Sequence, residues 1–167
     1  TARGEEALAS TAAEIRKMSG SNRVATFARD VSNSTSLDEM HKSITSELGP
    51  IDILVNNAGT SQRGPFLGVS DELWQNDLDL KLFAAIRLTR LTIPNMKEKK
   101  WGRIINVLNI GAKSPPAEGA PTAVSRAAGM ALTKALAGEF AKDNILVNAL
   151  LVGLIDSNQH LIRHQSS

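Results

Sequence analysis

Two residue types are missing from the 167-residue sequence, which contains neither cysteine nor tyrosine. Without cysteine there is no disulfide framework, no thiol chemistry and no cysteine-based metal site, and an intracellular setting is permitted. Without tyrosine there is no phenol, whose pKa of about 10 a neighbouring cation can bring toward neutrality for proton transfer. The sequence therefore offers neither a thiol nor a phenol for chemistry, and we predict no metal site.

Long apolar runs and an excess of one charge are also missing. No apolar run is long enough to span a bilayer, and the opening residues Thr-Ala-Arg do not begin a signal peptide. The formal net charge is only +2, with basic and acidic residues interleaved, so nothing indicates a nucleic-acid-binding surface. With 42% hydrophobic residues, the sequence predicts a soluble, cytoplasmic globular protein of one domain.

Residues 52–59, Asp-Ile-Leu-Val-Asn-Asn-Ala-Gly, are the most informative stretch. The apolar run 53–55 is typical of a strand buried on both faces of a parallel sheet, with helices on each side. The two asparagines can hold neighbouring backbone, and Ala58 and Gly59 let a flat ligand approach the main chain closely. The alternative is that this turn only ends the strand. The functional interpretation is a ligand crevice at the carboxyl end of the strand.

Helical and strand patterns alternate along the rest of the chain. Gly20 closes a helix over residues 5–18, and Ser36 with Glu39 has the capping-box spacing of the next helix. Ser70 caps a long helix that is apolar on more than one side. The predicted long helices are 70–98 and 122–142, the second rich in small residues, and the predicted strands are 23–27, 53–55, 103–108 and 144–151.

The Asn-Asn-Ala-Gly stretch resembles the signature of the short-chain dehydrogenase/reductase family. Further residues extend the resemblance in order and spacing over nearly the whole chain: Asp30, Trp74, Pro94, 103–108 and 148–155. The resemblance implies an α/β, Rossmann-like doubly wound parallel sheet with helices on both faces. That fold opens with a strand, a glycine-rich turn and a helix, which this sequence lacks. We therefore expect residues 1–167 to form a single, incomplete dinucleotide-binding domain from the middle of a longer protein.

The resembled family transfers hydride between nicotinamide and a carbonyl or alcohol, using Ser, Tyr, Lys and Asn side chains. By resemblance, the corresponding catalytic positions here hold Asn109, Thr122, Arg126 and Lys81. The spacing of the first three and the residues around Arg126 fit the family's motif. All four positions are therefore substituted, while the motif that surrounds them is kept.

Each substitution changes the chemistry available at its position. Thr122 cannot replace the phenol as the proton donor because an aliphatic hydroxyl is far less acidic. Arg126 can bridge ribose hydroxyls but does not titrate. Asn109 can donate its amide N–H to a carbonyl and orient it. His160 and His164, in the tail over the expected crevice, are further candidates for the donor or are simply exposed loop residues.

Lys81 leaves two interpretations open. A desolvated amine near Arg126 has a lowered pKa and could act as the general acid. Alternatively, Lys81 forms a structural ion pair with Asp77 or Asp79, because buried lysines are usually paired. The sequence alone favours the ion pair.

The resemblance also implies a nicotinamide cofactor, NADP or NAD. Asp30 would hold the adenine region, and Gly153 with Ile155 would lie on the nicotinamide side. Arg3 is where a basic residue accommodates the 2′-phosphate of NADP, although a lone arginine at a helix start is more often simply solvated. The expected cofactor-binding residues are Arg3, Asp30, Val31, Asn57, Ala58, Gly59, Arg126, Gly153, Ile155 and Ser157.

Taken together, the resemblance implies an NAD(P)-dependent oxidoreductase that acts on a small-molecule carbonyl or alcohol and has a non-standard proton donor. The alternative is a catalytically inactive relative with a nucleotide-binding or scaffold role. In the resembled family the long helix packs against its copy in a second subunit. We therefore expect a homodimer or homotetramer formed through helices 70–98 and 122–142, with no membrane or nucleic-acid partner.

Overall fold

The computed structural model describes residues 1–155 as a parallel sheet flanked by helices. In chain order the elements are α1 (Glu5–Ser19), α2 (Ser34–Leu48), β1 (Ile53–Asn56), α3 (Asp71–Leu78), α4 (Ala84–Glu98), β2 (Gly102–Asn109), α5 (Thr122–Phe140) and β3 (Ile145–Val152). The three strands lie in the order β1-β2-β3, and both ladders are parallel. The predicted fold class, an α/β Rossmann-like parallel sheet with flanking helices, is confirmed. That residues 1–167 form a single domain stays a prediction.

Local capping determines where α1 and α2 begin and end. α1 ends at Gly20, as predicted, with a left-handed φ of 66° and its N–H donated to the carbonyl of Arg16. α2 begins after Asn33, whose side-chain oxygen accepts the N–H of Ser36 at 3.0 Å. The predicted capping box of Ser36 and Glu39 is therefore wrong, because Asn33 stands before the first helical turn with an extended backbone and caps it instead.

The predicted long helix is interrupted once. Ser70 caps α3 by accepting the N–H of Leu73 at 3.4 Å, and α3 then continues through a π-helical turn, Asp79–Phe83, into α4. A π-helical turn inserts an extra residue into the helical ladder, and such turns are frequent at functional sites. This one carries Lys81 at its centre, so the irregularity coincides with a residue that the sequence singled out.

The main hydrophobic core lies between one face of the sheet and the helices α4 and α5. It is formed by Leu54, Ile93, Met96, Ile104, Ile145 and Val147. On the opposite face, the side chains of Ile53 and Val55 are 57% and 53% exposed among the described residues. The prediction that residues 53–55 are buried on both faces is thus wrong within this part of the chain, because α4 and α5 cover only the face to which Leu54 points.

Residues 23–27 do not form the predicted strand. Within residues 1–155, the only sheet-like contact near them is an isolated parallel bridge between Ala2 and Ala28, with the N–H of Arg29 donated to the carbonyl of Ala2 at 2.9 Å. A strand needs a neighbour along its length to satisfy its backbone groups, and a single bridge does not provide one. None of the described helices is long and apolar enough to cross a membrane.

Candidate active site

The carboxyl ends of the strands open onto one cleft of about 850 Å³. This is the edge at which parallel α/β sheets bind their ligands, because the loops that leave neighbouring strands diverge there. The predicted site residues that line the cleft are Asn57, Gly59, Asn109, Thr122, Arg126, Gly153 and Ile155. The fold therefore brings the end of β2, the start of α5 and the loop after β1 around a single hollow.

A buried cluster of four polar side chains, Asp77, Lys81, Thr122 and Ser125, lies beside this cleft. Oδ1 of Asp77 accepts hydrogen bonds from Nζ of Lys81 and from Oγ1 of Thr122, the latter at 3.1 Å. Oδ2 of Asp77 accepts the hydroxyl of Ser125 at 2.6 Å. Nζ of Lys81 also donates to Oγ1 of Thr122 at 3.0 Å. One carboxylate thus organises an amine and two hydroxyls.

Lys81 forms the ion pair that the sequence favoured. Its partner is Asp77, and the two side chains are 4% and 0% exposed, respectively. Asp79, the other predicted candidate, instead accepts a hydrogen bond from Arg87 at 3.3 Å. Burial lowers the pKa of Lys81 below that of a free amine; Asp77 opposes this shift, and the charge of Arg126 adds to it. Whether the amine also acts as a general acid stays a prediction.

Arg126 lies between the buried cluster and the loop after β1. Its Nη1 donates to the carbonyl of Val107 at 2.8 Å, and a Cβ placed on Gly59 would stand 3.1 Å from its Nη2. Burial lowers the pKa of Arg126 and the charge of Asp77 opposes that shift, while an arginine stays protonated at any physiological pH. Its Nε is buried with no hydrogen-bond partner among residues 1–155, so a donor is left for a ligand.

Asn109 ends β2 at the edge of the cleft. Its Oδ1 is buried and has no hydrogen-bond partner within the described part of the chain. Because a buried polar atom is costly to leave unpaired, this amide is suited to meet a polar group of a ligand in the cleft. The predicted role of Asn109, donation of its amide N–H to a carbonyl, concerns the other atom of the amide and stays a prediction.

The predicted cofactor residues also include some that line a second cavity, one that lies outside the described residues and two that line neither cavity. Val31, Asn57 and Ala58 line a smaller cavity of about 60 Å³ that also borders Lys81 and Arg126. Ser157 lies outside the described residues, as do the candidate donors His160 and His164.

Asp30 and Arg3 line neither cavity in the described chain. The carboxylate of Asp30 accepts the N–H and the hydroxyl of Ser32 at 2.9 and 2.7 Å, which holds the pKa of Asp30 below its ordinary value. Arg3 is exposed, and its charge also favours the ionised carboxylate. The loop that carries Asp30 is thus held by local hydrogen bonds.

Sequence reasoning missed that Asp77 is the centre of the cluster. The helical spacing of Asp77 and Lys81 indicated an ion pair, but nothing in the sequence indicated that Thr122 and Ser125 would join it. Their hydroxyls project from the first turn of α5 and reach Asp77 only because α3 packs against α5. Among residues 1–155, no group of three or more acidic or histidine side chains could hold a metal ion.

Residues 1–165 match the family model described as short chain dehydrogenase. The chain therefore belongs to the short-chain dehydrogenase/reductase family. Among the curated relatives, it is 33% identical to the 3-oxoacyl-(acyl-carrier-protein) reductase FabG of Vibrio cholerae over 79% of this chain and 54% of that protein. It is 32% identical to the D-beta-hydroxybutyrate dehydrogenase of Cupriavidus necator over 86% of this chain and 55% of that one. The chain spans slightly more than half the length of these two relatives.

Solved structures give the same family. The L-sorbose reductase of Gluconobacter frateurii, complexed with NADPH and L-sorbose, is 35% identical with a TM-score of 0.93, covering 99% of this chain and 62% of that one. An NADPH-bound short chain oxidoreductase of Pseudomonas aeruginosa, described as containing an atypical catalytic center, is 29% identical with a TM-score of 0.89. That match covers 99% of this chain and 64% of the other.

Proposed function

We propose that this protein is an NAD(P)-dependent oxidoreductase that transfers hydride between nicotinamide and a carbonyl or alcohol, with a non-standard proton donor. The observation that carries the proposal is the convergence of Asn109, Thr122 and Arg126 on one cleft beside Asn57. These residues lie far apart in the sequence and meet only at the ligand-binding edge of the sheet. Family membership supports the reaction class.

NADP, or alternatively NAD, is the cofactor that the cleft fits. Residues 57–59 offer exposed main chain with small side chains at two positions, which permits close approach of a flat ring. The unpartnered Nε of Arg126 is a donor for ribose hydroxyls or a phosphate oxygen. When bound, the nicotinamide supplies or accepts the hydride. The NADPH in the L-sorbose reductase and in the Pseudomonas protein favours NADP.

The substrate site lies on the Asn109 side of the cleft. The side-chain amide of Asn109 can donate to a carbonyl oxygen and so hold it for hydride addition to the carbon. Proton transfer would depend on the amine of Lys81, because neither Arg126 nor a threonine hydroxyl alone is acidic enough near neutral pH. The substrate class is a small-molecule ketone or secondary alcohol.

A second candidate function is a catalytically inactive relative that binds nucleotide or acts as a scaffold. The ion pair of Lys81 with Asp77 favours it, since this pair is buried and gives the amine a structural partner. The absence of tyrosine favours it too. A nucleotide-binding relative would share the cofactor site with the oxidoreductase and differ from it only in turnover, whereas a scaffold would need no cofactor.

The test is nucleotide binding followed by turnover on the full chain. Fluorescence titration with NADPH and NADH should give saturable binding, weakened at least tenfold in Arg126→Met and unchanged in the control Arg90→Met, an exposed arginine of α4. Nicotinamide absorbance is then followed with a ketose and a 3-oxoacyl thioester. Binding without oxidation of NADPH by any substrate supports the inactive relative. No binding of either nucleotide removes the oxidoreductase and the nucleotide-binding relative together and leaves the scaffold role.

We also propose that the chain forms a homodimer or homotetramer through helices 70–98 and 122–142. Apolar side chains on these helices are exposed in the single chain, namely Leu73, Phe83 and Val124. Light scattering should give a multiple of the monomer mass, reduced by Val124→Glu and unchanged by the control Lys134→Glu on the same helix. A monomeric wild-type chain would contradict this proposal.

A further inference from the structure

The hydroxyl of Thr122 connects the buried cluster to the cleft, which neither the ion pair nor the amine of Lys81 does by itself. Thr122 lines the cleft, whereas Lys81 is not among the described residues that line it. Oγ1 of Thr122 stands 3.0 Å from Nζ of Lys81, and the backbone N–H of Gln62 holds the same oxygen at 2.9 Å. The threonine hydroxyl is therefore the group that joins the buried amine to the cleft.

Asp77 sets the positions of both groups in this connection. Its Oδ1 accepts from Lys81 and from Thr122 at once, and its Oδ2 is held by the hydroxyl of Ser125. With both carboxylate oxygens bonded and the side chain fully buried, the carboxylate has no room to turn away. The π-helical turn places the amine of Lys81 on the same side.

We propose that Asp77 is a positioning residue for the reaction and that the proton passes from Lys81 to the substrate through the hydroxyl of Thr122. This inference rests on the proposed oxidoreductase function. It assigns Thr122 the role of a shuttle rather than of a donor, so the low acidity of an aliphatic hydroxyl is not an obstacle.

The proton movements balance within the cluster and the solvent. In the reducing direction the carbonyl carbon accepts the hydride that reduced nicotinamide nucleotide supplies, and the π electrons move to the carbonyl oxygen. The hydroxyl hydrogen of Thr122, which the free protein donates to Oδ1 of Asp77, turns toward the cleft and passes to the carbonyl oxygen, while Oγ1 of Thr122 takes a proton from the ammonium of Lys81. The neutral amine of Lys81 then regains a proton from water. Oxidation of an alcohol runs through the same steps in reverse.

The charges around Lys81 explain why the carboxylate matters. Burial and the neighbouring charge of Arg126 lower the pKa of the amine, and the charge and hydrogen bond of Asp77 raise it. Reduction requires the protonated amine, so the rate falls as the pH rises through this pKa. Removing the charge of Asp77 lowers the pKa further, and the alkaline limb of the profile must then move to lower pH.

The first arm of the test compares Asp77→Asn with the control Asp79→Asn, whose parent carboxylate accepts from Arg87. The ammonium of Lys81 is titrated by nitrogen NMR without nucleotide, and the pH profile of kcat/KM is measured for carbonyl reduction. We expect Asp77→Asn to shift both to lower pH by about 1 unit or more, and Asp79→Asn to leave both unchanged. Equal titrations in wild type and Asp77→Asn would overturn the positioning role.

The second arm tests the shuttle and does not depend on Asp77→Asn folding. Thr122→Val keeps the shape of the side chain without its hydroxyl, and Thr122→Ser keeps the hydroxyl. We expect kcat to fall at least a hundredfold in Thr122→Val and to recover in Thr122→Ser, with the dissociation constant of NADPH unchanged in both. An active wild type with full activity in Thr122→Val overturns the shuttle alone. A wild type that binds NADPH but reduces no carbonyl overturns the oxidoreductase function itself.

Discussion

The loop after β1 and the buried cluster are neighbours, yet their polar groups are arranged in opposite ways. Residues 57–59 are exposed, and Arg126 beside them has a buried donor with no partner among residues 1–155. In the buried cluster, by contrast, the carboxylate of Asp77 is fully used by Lys81, Thr122 and Ser125. The open side is suited to a ligand, and the closed side holds its own groups in fixed positions.

This contrast predicts whether a substitution changes the stability of the protein or its affinity for a ligand. Polar groups that already satisfy one another stabilise the fold, and removing one of them leaves a buried charge or donor unpaired. Groups that have no partner in the free protein contribute little to its stability until a ligand binds them. Substitutions of these groups therefore change the affinity for the ligand and leave the free protein stable. The predictions below test this division between stability and binding.

The largest expected effect is on stability, from Lys81→Met. Methionine keeps much of the length and apolar contact of the side chain but leaves the carboxylate of Asp77 buried without its cation. We expect a loss of about 3 kcal/mol or more in the free energy of unfolding, measured by urea denaturation. The control Lys99→Met removes the cation of Asp52, a pair with both side chains 43% exposed, and should cost less than about 1 kcal/mol. Equal losses of unfolding free energy in the two variants would show that the buried pair contributes no more to stability than the exposed one.

Ser125→Ala tests whether the hydroxyls of the buried cluster also stabilise the chain. The variant removes the 2.6 Å hydrogen bond to Oδ2 of Asp77, and a hydrogen bond to a charged group contributes about 1.5–3 kcal/mol. The control Ser43→Ala removes an exposed hydroxyl that bonds only the backbone of its own helix. It should change the unfolding free energy by no more than about 0.5 kcal/mol. An equally small effect of Ser125→Ala would contradict the proposed rigidity of the carboxylate.

Gly59→Ala addresses the open side. The added methyl group would stand 3.1 Å from Nη2 of Arg126 and would occupy space beside the exposed main chain. We expect NADPH to bind about tenfold more weakly, a difference of about 1.4 kcal/mol, with little change in the melting temperature. Gly68→Ala is the matched control, because a Cβ there meets nothing within 4 Å. If Gly59→Ala lowered the melting temperature without changing the affinity for NADPH, this position would contribute to stability and not to binding, contrary to the proposal.

The smallest effect concerns Asp30. Its pKa is lowered by the N–H and hydroxyl of Ser32, so the ionised carboxylate stabilises the folded state at neutral pH, and this contribution is lost as the pH falls through the folded-state pKa. We expect Asp30→Asn to lower stability at pH 7 by less than about 1 kcal/mol, since the group is largely in water. The difference should vanish in acid denaturation profiles below the pKa. A constant difference at every pH would point to a lost contact other than the charge.

The cleft could be predicted better than the cluster beside it. Strands β1, β2 and β3 and the helix ends at Gly20 and Ser70 follow from short-range patterns, and the carboxyl ends of parallel strands must meet at one edge. The convergence of Asn109, Thr122 and Arg126 was predicted from the resemblance to the family's motif, and this geometry is consistent with it. By contrast, residues 23–27 had the composition of a strand, but in the described part of the chain only the isolated bridge between Ala2 and Ala28 lies beside them.

The sequence by itself determined the parallel α/β fold and the cleft at its edge, through strand periodicity together with the resemblance to the family, and its composition determined that no phenol is present. Only the tertiary structure decided that Asp77 rather than Asp79 pairs with Lys81, and that Thr122 and Ser125 complete the pair. The physical reason is that the partners come from two helices whose packing sets their distance. Spacing along one helix can indicate an ion pair, but it does not predict which side chains of a second helix will hydrogen-bond to that pair.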